Sequence, residues 1–222
     1  MMERTAINSG TSLNDYGDHP MMKGMLIAAI SAAWLLPAAS FGAADPKLVE
    51  SCNDCHGDKG VTTAQNIPTI AGISASVHSD ALKAFKGKTR TCNKVKYTRG
   101  DTSRQGDMCT VAGKLSDAEI TALADTYSKL PFAPFKQTTD AAKAAAGKTV
   151  HERDCKSCHS NGGKDPSDDA SILGGQPASY LKDTMADFKA GKSDQPKKMK
   201  DKMTKLSDAD VEALSQFYGS EH

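Results

Sequence analysis

The pentapeptide Cys-X-X-Cys-His occurs twice in this chain, as Cys52-Asn-Asp-Cys55-His56 and as Cys155-Lys-Ser-Cys158-His159. Two thiols three residues apart lie on one side of a helical turn, and the next residue is carried under whatever they hold. This is the pattern of covalent c-type haem attachment, in which the thiols add to the vinyl groups of one porphyrin and the histidine becomes the proximal iron ligand. A lone Cys-X-X-Cys also fits half a zinc site or a dithiol redox pair. The histidine directly after the second cysteine argues against both, because zinc sites rarely place a third ligand there. Two copies therefore predict two covalently bound haems, attached at Cys52 and Cys55 and at Cys155 and Cys158, with iron on His56 and His159.

The motifs belong to a longer repeat. His56 and His159 are 103 residues apart, as are Gly72 and Gly175, and Phe85 and Phe188. Farther on the offset falls to 91, for Met108 and Met199 and for Leu115 and Leu206. The latter pair opens the near-identical stretches Leu115–Ile120 and Leu206–Val211. The chain is thus a tandem duplication, with a net excess of 12 residues in the first copy between Phe85 and Met108. A two-fold repeat of this length predicts two domains rather than a solenoid.

Each copy has the same coarse order. A helical segment leads into the motif (46–55 and 140–158). A loop follows, then a helix over 74–86 or 178–190, an irregular loop with the methionine, and a last helix. Ser116 with Glu119, and Ser207 with Asp210, have the spacing of capping boxes. Ile120, Leu123, Tyr127 and Leu130 then keep helical spacing, which Val211, Leu214 and Tyr218 repeat. Strand signals are weak. The organisation predicted is a first domain over 45–130, a linker over 131–139 whose prolines stop the preceding helix, and a second domain over 140–222. Domains this small sit near the lower limit for a self-sufficient core, and a buried macrocycle would help to fill it.

Residues 21–44 read as a cleaved secretory signal: Lys23, an apolar run from Met25 to Leu36, then Pro37 and small residues up to Gly42 and Ala44. The run is too short for a membrane span. Residues 1–20 are polar and form an extension, with translation expected to start at Met21 or Met22, which N-terminal sequencing of the primary product tests. Export places a c-type cytochrome in the bacterial periplasm, where disulfides are permitted. Cys92 and Cys109 are left over from the haem motifs, 17 residues apart in the first copy. A disulfide between them would close the inserted loop and contribute about 3 kcal/mol in the chain-entropy model. The alternative is a thiolate ligand from Cys109, which adjoins Met108.

The distal iron ligands must come from elsewhere, and methionine and histidine are the common options. Met108 and Met199 each precede by seven residues the leucine that opens the last helix. That shared position predicts both as ligands. Met203, one turn from Met199, is the rival. His78 falls on the predicted helix where the second copy has Leu181, and His151 precedes the second motif by one turn; both read as packing or surface residues. Pro68, and Ser171 at the matching position, are candidate carbonyl partners for the proximal rings. Tyr180 and Arg153 are candidates to meet haem propionates.

The chain is nearly neutral, at +1, but its charge is uneven. Lys192, Lys197, Lys198, Lys200, Lys202 and Lys205 surround Met199, and Lys86, Lys88, Arg90, Lys94, Lys96 and Arg99 precede Met108. Such runs are usually solvated surface. Here they flank the loops expected at the haem edges and suit docking to acidic redox partners. Few aromatic residues and an export signal leave no case for nucleic acid.

The tandem motifs, the turns Ile70-Ala71-Gly72 and Leu173-Gly174-Gly175-Gln176, and the Leu-Ser-Asp helices resemble the periplasmic dihaem cytochromes of the c-four type, over essentially all of 45–222. The second copy is also similar to the dihaem subunit of flavocytochrome c sulfide dehydrogenase. That likeness lies in Cys155–His159, Gly162-Gly163-Lys164, Ile172–Gln176, Tyr180-Leu181, Asp187-Phe188 and Lys197-Lys198-Met199. Pro177 departs from the aromatic residue often found there, and the insertion carrying Cys92 lies outside either resemblance. The resemblance implies an all-α fold of two class I cytochrome c domains, related by a pseudo-two-fold, that carry electrons by outer-sphere transfer. The partner implied is a flavoprotein subunit that oxidises sulfide. The alternative is a free shuttle from a cytochrome bc complex to a terminal oxidase, which would bring the chain to a respiratory complex in the membrane. A dihaem enzyme, such as a peroxidase or thiosulfate dehydrogenase, would need an open or Cys-ligated iron. With His/Met ligation no catalytic residue is expected.

Overall fold

A computed structural model describes residues 43–222, in which helices carry most of the order. The extension over 1–20 and all but the end of the segment over 21–44 lie outside the described residues. The first copy consists of α1 (Pro46–His56), α2 (Ala75–Lys86), α3 (Met108–Ala112) and α4 (Asp117–Ser128). The second consists of α5 (Ala141–Val150), α6 (Ala178–Lys189), α7 (Lys197–Met203) and α8 (Asp208–Ser220). No helix among the described residues is long and apolar enough to cross a membrane.

Local chemistry sets these boundaries. Asp45 accepts from the Lys47 N–H at 2.8 Å, and Pro46 occupies the first turn of α1, where its missing N–H costs nothing. Both capping boxes form: Ser116 with Glu119 at α4 and Ser207 with Asp210 at α8, so aspartate can replace glutamate there. Two expectations need correction. The methionines lie on short helices, not in irregular loops. Asp107 starts α3 by accepting from the Thr110 N–H at 2.8 Å, and Pro196 fixes the backbone ahead of α7. The run into the second motif is also not one α-helix. After Val150 it widens into a π-turn over His151–Cys155, where the Lys156 N–H reaches the His151 carbonyl at 3.0 Å.

The two copies share a frame of backbone hydrogen bonds. The Gly60 carbonyl accepts from Ile70 at 2.8 Å and Ala71 at 3.2 Å. The Gly163 carbonyl accepts from Leu173 at 2.8 Å and Gly174 at 3.1 Å. Gly72 donates to the Tyr127 carbonyl at 2.9 Å and Gly175 to the Tyr218 carbonyl at 2.8 Å, each from a left-handed backbone (φ 75° and 83°) that favours glycine. These bonds dock the turn after each motif onto the closing helix. In the second copy α5 crosses α8 at Gly147, where a side chain would strike the Ala213 carbonyl. The cores follow: Leu115, Ile120, Leu123 and Tyr127 in the first copy, and a larger group around Leu181, Leu206, Leu214, Phe217 and Tyr218 in the second.

The copies meet through buried polar contacts. Thr69 and Gln176, 0% and 1% exposed, exchange two hydrogen bonds: Thr69 N–H to Gln176 Oε1 at 2.9 Å, and Gln176 Nε2 to the Thr69 carbonyl at 2.8 Å. The Tyr180 N–H adds a bond to the Gln65 carbonyl at 3.0 Å. Segment 131–139 has no regular structure but is pinned. Gln137 donates to the Gln176 and Gly219 carbonyls at 2.9 and 3.1 Å and accepts from the Ala178 N–H at 2.9 Å. The excess residues of the first copy form a small antiparallel pair, Val95–Lys96 with Gln105–Gly106, in a loop closed by Cys92–Cys109.

Gln176→Ala would leave the Thr69 N–H and carbonyl buried without partners. The expected cost is about 2–4 kcal/mol, read from denaturant unfolding of the holoprotein.

Candidate haem sites

Each motif presents its thiols at the end of a helical run and its histidine at the turn behind. The first histidine is the better fixed. His56 is buried, its Nδ1 lies 2.9 Å from the Pro68 carbonyl, and Nε2 is left as the free ligand atom. Burial pushes its pKa down, opposed by that carbonyl, so the ring is neutral and able to bind metal. His159 is half-buried, with a buried Nδ1 that makes no hydrogen bond. Burial lowers its pKa too, with the Ser171 carbonyl acting in the opposite direction.

The thiols fit haem c better than zinc. Burial raises the pKa of Cys52, Cys55 and Cys155. Among the described residues, the one cluster with the geometry for a metal ion is Cys92, Asp107 and Cys109, and there both sulfurs are joined in a disulfide with Cα atoms 5.7 Å apart. The four motif thiols belong to no such cluster. Four uncommitted sulfurs, each pair followed directly by a buried or half-buried histidine, are what a site built around a covalent macrocycle needs. A cleft of about 370 Å³ lies beside the linker, lined by Gln65, Lys136, Gln137, Thr138, Ala178 and Ser179, and no motif residue borders it.

The closing helices brace the motifs with a tyrosine each. The Tyr127 hydroxyl reaches the Val49 carbonyl at 3.1 Å and Asn53 Oδ1 at 3.0 Å, tying α4 to the motif helix. Tyr218 lies 3.0 Å from His151 Nδ1, which is why His151 is buried and structural. Burial raises both phenol pKa values, and the nearby first cysteine of each motif adds to the rise. Neither tyrosine role was visible in the sequence, although the shared 91-residue offset of the two marks them.

Met108 and Met199 are half-buried, at equivalent places on α3 and α7. Met203 is 5% exposed and belongs to the second core, at the position Ala112 fills, fully buried, in the first. Arg153 pairs with Asp154 at 2.7 Å. Tyr180 takes a hydrogen bond from Arg90 at 3.2 Å. The basic runs are also narrower than the sequence suggests. Arg99 is bound to Glu50 at 2.9 Å and Arg90 is half-buried between the copies. Lys198, Lys200 and Lys205, and Lys88, Lys94 and Lys96, are exposed.

His78 is buried beside Tyr127 with an unpartnered Nε2, and burial lowers its pKa to about 4, opposed by the Ile70 carbonyl. The unfolded chain takes up this proton near pH 6.5 and the folded one only near 4, so stability is full above about 6.5 and falls as pH drops towards 4. Unfolding measured against pH should show up to about 3 kcal/mol lost across that window. His78→Leu, which copies Leu181, should flatten it.

Comparison with known proteins agrees with this geometry. Residues 46–125 match the cytochrome c family model, and residues 142–217 match that of cytochrome c oxidase, cbb3-type, subunit III. The chain is 28% identical over 214 residues to a thiosulfate dehydrogenase electron acceptor of Thiomonas intermedia (strain K12), covering 91% of this chain and 92% of that one. It is 25% identical over 209 residues to cytochrome c4 of Azotobacter vinelandii, covering 89% and 97%. Its fold is similar to reduced cytochrome c4 from Pseudomonas stutzeri, with a TM-score of 0.64 at 24% identity over 81% of this chain and all of that one. It is also similar in fold to part of the thiosulfate dehydrogenase TsdBA from Marichromatium purpuratum, with a TM-score of 0.62 at 22% identity over 76% of this chain and 36% of that one. The relatives therefore point to cytochrome c4 and an electron acceptor rather than specifically to a sulfide dehydrogenase subunit. Two cytochrome c domains, each with a covalently bound haem c, make this chain a dihaem electron-transfer protein similar to cytochrome c4.

Proposed function

We propose that this chain accepts electrons in the bacterial periplasm from a dehydrogenase that oxidises an inorganic sulfur compound, and passes them on. Its irons are held by His56 with Met108 and by His159 with Met199. The observation that carries the reading is the similarity, over nearly the whole of both chains, to a thiosulfate dehydrogenase electron acceptor. A sulfide-oxidising flavoprotein subunit, implied by the turns of the second copy, is a donor of the same chemical class. The likeness to cytochrome c4 favours a second reading, a free shuttle between a bc complex and a terminal oxidase.

The haem c groups supply one-electron chemistry, and the chain sets its conditions. Pro68 holds the His56 ring in one tautomer through Nδ1 and leaves Nε2 for iron. The repeat supports Met199 over Met203, since Ala112 shows that the Met203 position belongs to the core. With methionine and histidine on each iron, no position is open to substrate, and electrons leave through the haem edge. The exposed Lys198, Lys200 and Lys205 beside Met199 suit an acidic partner.

The donor is tested by purifying the holoprotein gently from its host and following its reduction in a stopped flow. Fast reduction by thiosulfate through a thiosulfate dehydrogenase supports the proposal. Flavin co-eluting at one per two haems would instead make the donor a flavoprotein, and no reduction by either route would favour the free shuttle. Reversing Lys198, Lys200 and Lys205 to glutamate should slow donor reduction about tenfold or more at low ionic strength, with the gap closing as salt rises. Met108→Ala and Met199→Ala should each remove one methionine–iron charge-transfer band and lower one potential. Met203→Leu should leave both bands intact and cost less than about 1.5 kcal/mol.

A further inference from the structure

The insertion of the first copy has no counterpart in the second; its residues Thr98 and Arg99 hold the first haem motif, with Thr98 donating to the Asp54 and Cys55 carbonyls at 3.0 Å. Its residues 89–93 are spent on the other copy. The Thr91 N–H donates to Ser193 Oγ at 3.0 Å, and the Thr89 carbonyl accepts from the Asp194 N–H at 2.7 Å. Asn93 Nδ2 reaches Asp187 Oδ2 at 3.4 Å. These contacts grip residues 187–194, the segment leading to α7 and Met199. The same stretch 89–93 is tied by Cys92–Cys109 to the residue after Met108. The inserted loop therefore clamps the methionine segment of one copy to that of the other.

Arg90 lies inside this clamp. Its guanidinium sits 4.8 Å from the ring centre of Phe85 and 5.6 Å from that of Phe188, the pair related by the repeat. It donates to the Tyr180 hydroxyl at 3.2 Å. Its own carbonyl faces the sulfurs of both Cys92 and Cys109. Among the described residues no carboxylate pairs with it, although Arg99 and Arg153 both have one. A half-buried guanidinium between two phenyl rings, held on both sides yet without a counter-charge, is an anion site. The chain offers no carboxylate there, whereas each haem brings propionate carboxylates. The proximal loops lie at the same seam, since Thr69 follows the Pro68 that holds His56.

We infer that Arg90, presented by the disulfide-closed insertion and backed by Tyr180, pairs with a haem propionate at the seam between the two cytochrome domains. It is a positioning residue that also sets the charge felt by that haem. This rests on the two haems and not on the identity of the electron donor, so it stands or falls independently of thiosulfate or sulfide activity.

The test is redox titration of the holoprotein, reading both haems, for wild type, Arg90→Lys and Arg90→Met. Loss of the guanidinium leaves the propionate charge uncompensated and favours the oxidised iron. Arg90→Met should lower one potential by roughly a tenfold change in the reduced-to-oxidised ratio, which is about 59 mV for one electron. Arg90→Lys should restore much of it. The double change Cys92→Ser and Cys109→Ser, which frees the clamp, should shift the same haem in the same direction by less. Unmoved potentials in Arg90→Met, with only stability reduced, would make Arg90 a structural cation over aromatic rings and overturn the inference. If that variant yields no holoprotein, a crystal structure of the wild-type holoprotein decides. A haem carboxylate within about 3 Å of the guanidinium supports the pairing, and none within reach overturns it.

Discussion

The covalent tie between each short helix and its haem is the constraint on which the structure depends. The buried aliphatic set of the first copy is small, with Leu115, Ile120 and Leu123 at its centre. A domain of this size is marginal without a cross-link, a metal or a cofactor. Thioethers at Cys52 and Cys55, with an iron bond at His56, bring a large apolar macrocycle into that core at fixed geometry. The chain then needs only to close around it. Gly60 and Gly163, whose carbonyls take two backbone donors each, fold the following turn back, and Gly72 and Gly175 hook that turn onto the closing helix.

Joining two such domains adds a second layer of constraint. Thr69 follows the carbonyl that orients His56, and Gln176 holds both of its backbone groups. The proximal loop of one copy is therefore fixed by the other. The linker takes part rather than merely connecting, because Gln137 binds the backbone on either side of the turn that carries Gln176. Two one-electron sites held at a defined separation suit rapid internal exchange, which a flexible tether would not provide.

Much of this was legible in the residues. The pentapeptides name the cofactor because no other common site places histidine directly after Cys-X-X-Cys. The paired offsets mark the repeat, and Ser-X-X-Glu with Ser-X-X-Asp mark the starts of α4 and α8. The failures have physical causes. The methionine segments are too short for helical periodicity to register, so Asp107 and Pro196 had to set the helix starts unaided. The π-turn at His151–Cys155 leaves no mark in composition, and its first residue is held by a buried His151–Tyr218 contact between residues far apart in the chain. Arg90 and Arg99 counted as surface charge because only tertiary structure shows that one enters the seam and the other meets Glu50.

The differences between the copies lie beside the haem motifs, not in the shared frame. Tyr127 bonds Asn53 and a backbone carbonyl, whereas its equivalent Tyr218 meets His151. His78 stands where the second copy has Leu181, placing a buried polar ring in one domain and an aliphatic chain in the other. The first copy enters its motif on an α-helix and the second through a π-turn. Haem potential responds to polarity, hydrogen bonding and burial around the iron. A duplication that keeps the frame and changes these neighbours surrounds its two haems differently, and in such a carrier it is a difference in potential, not the number of haems, that would give electron flow a direction.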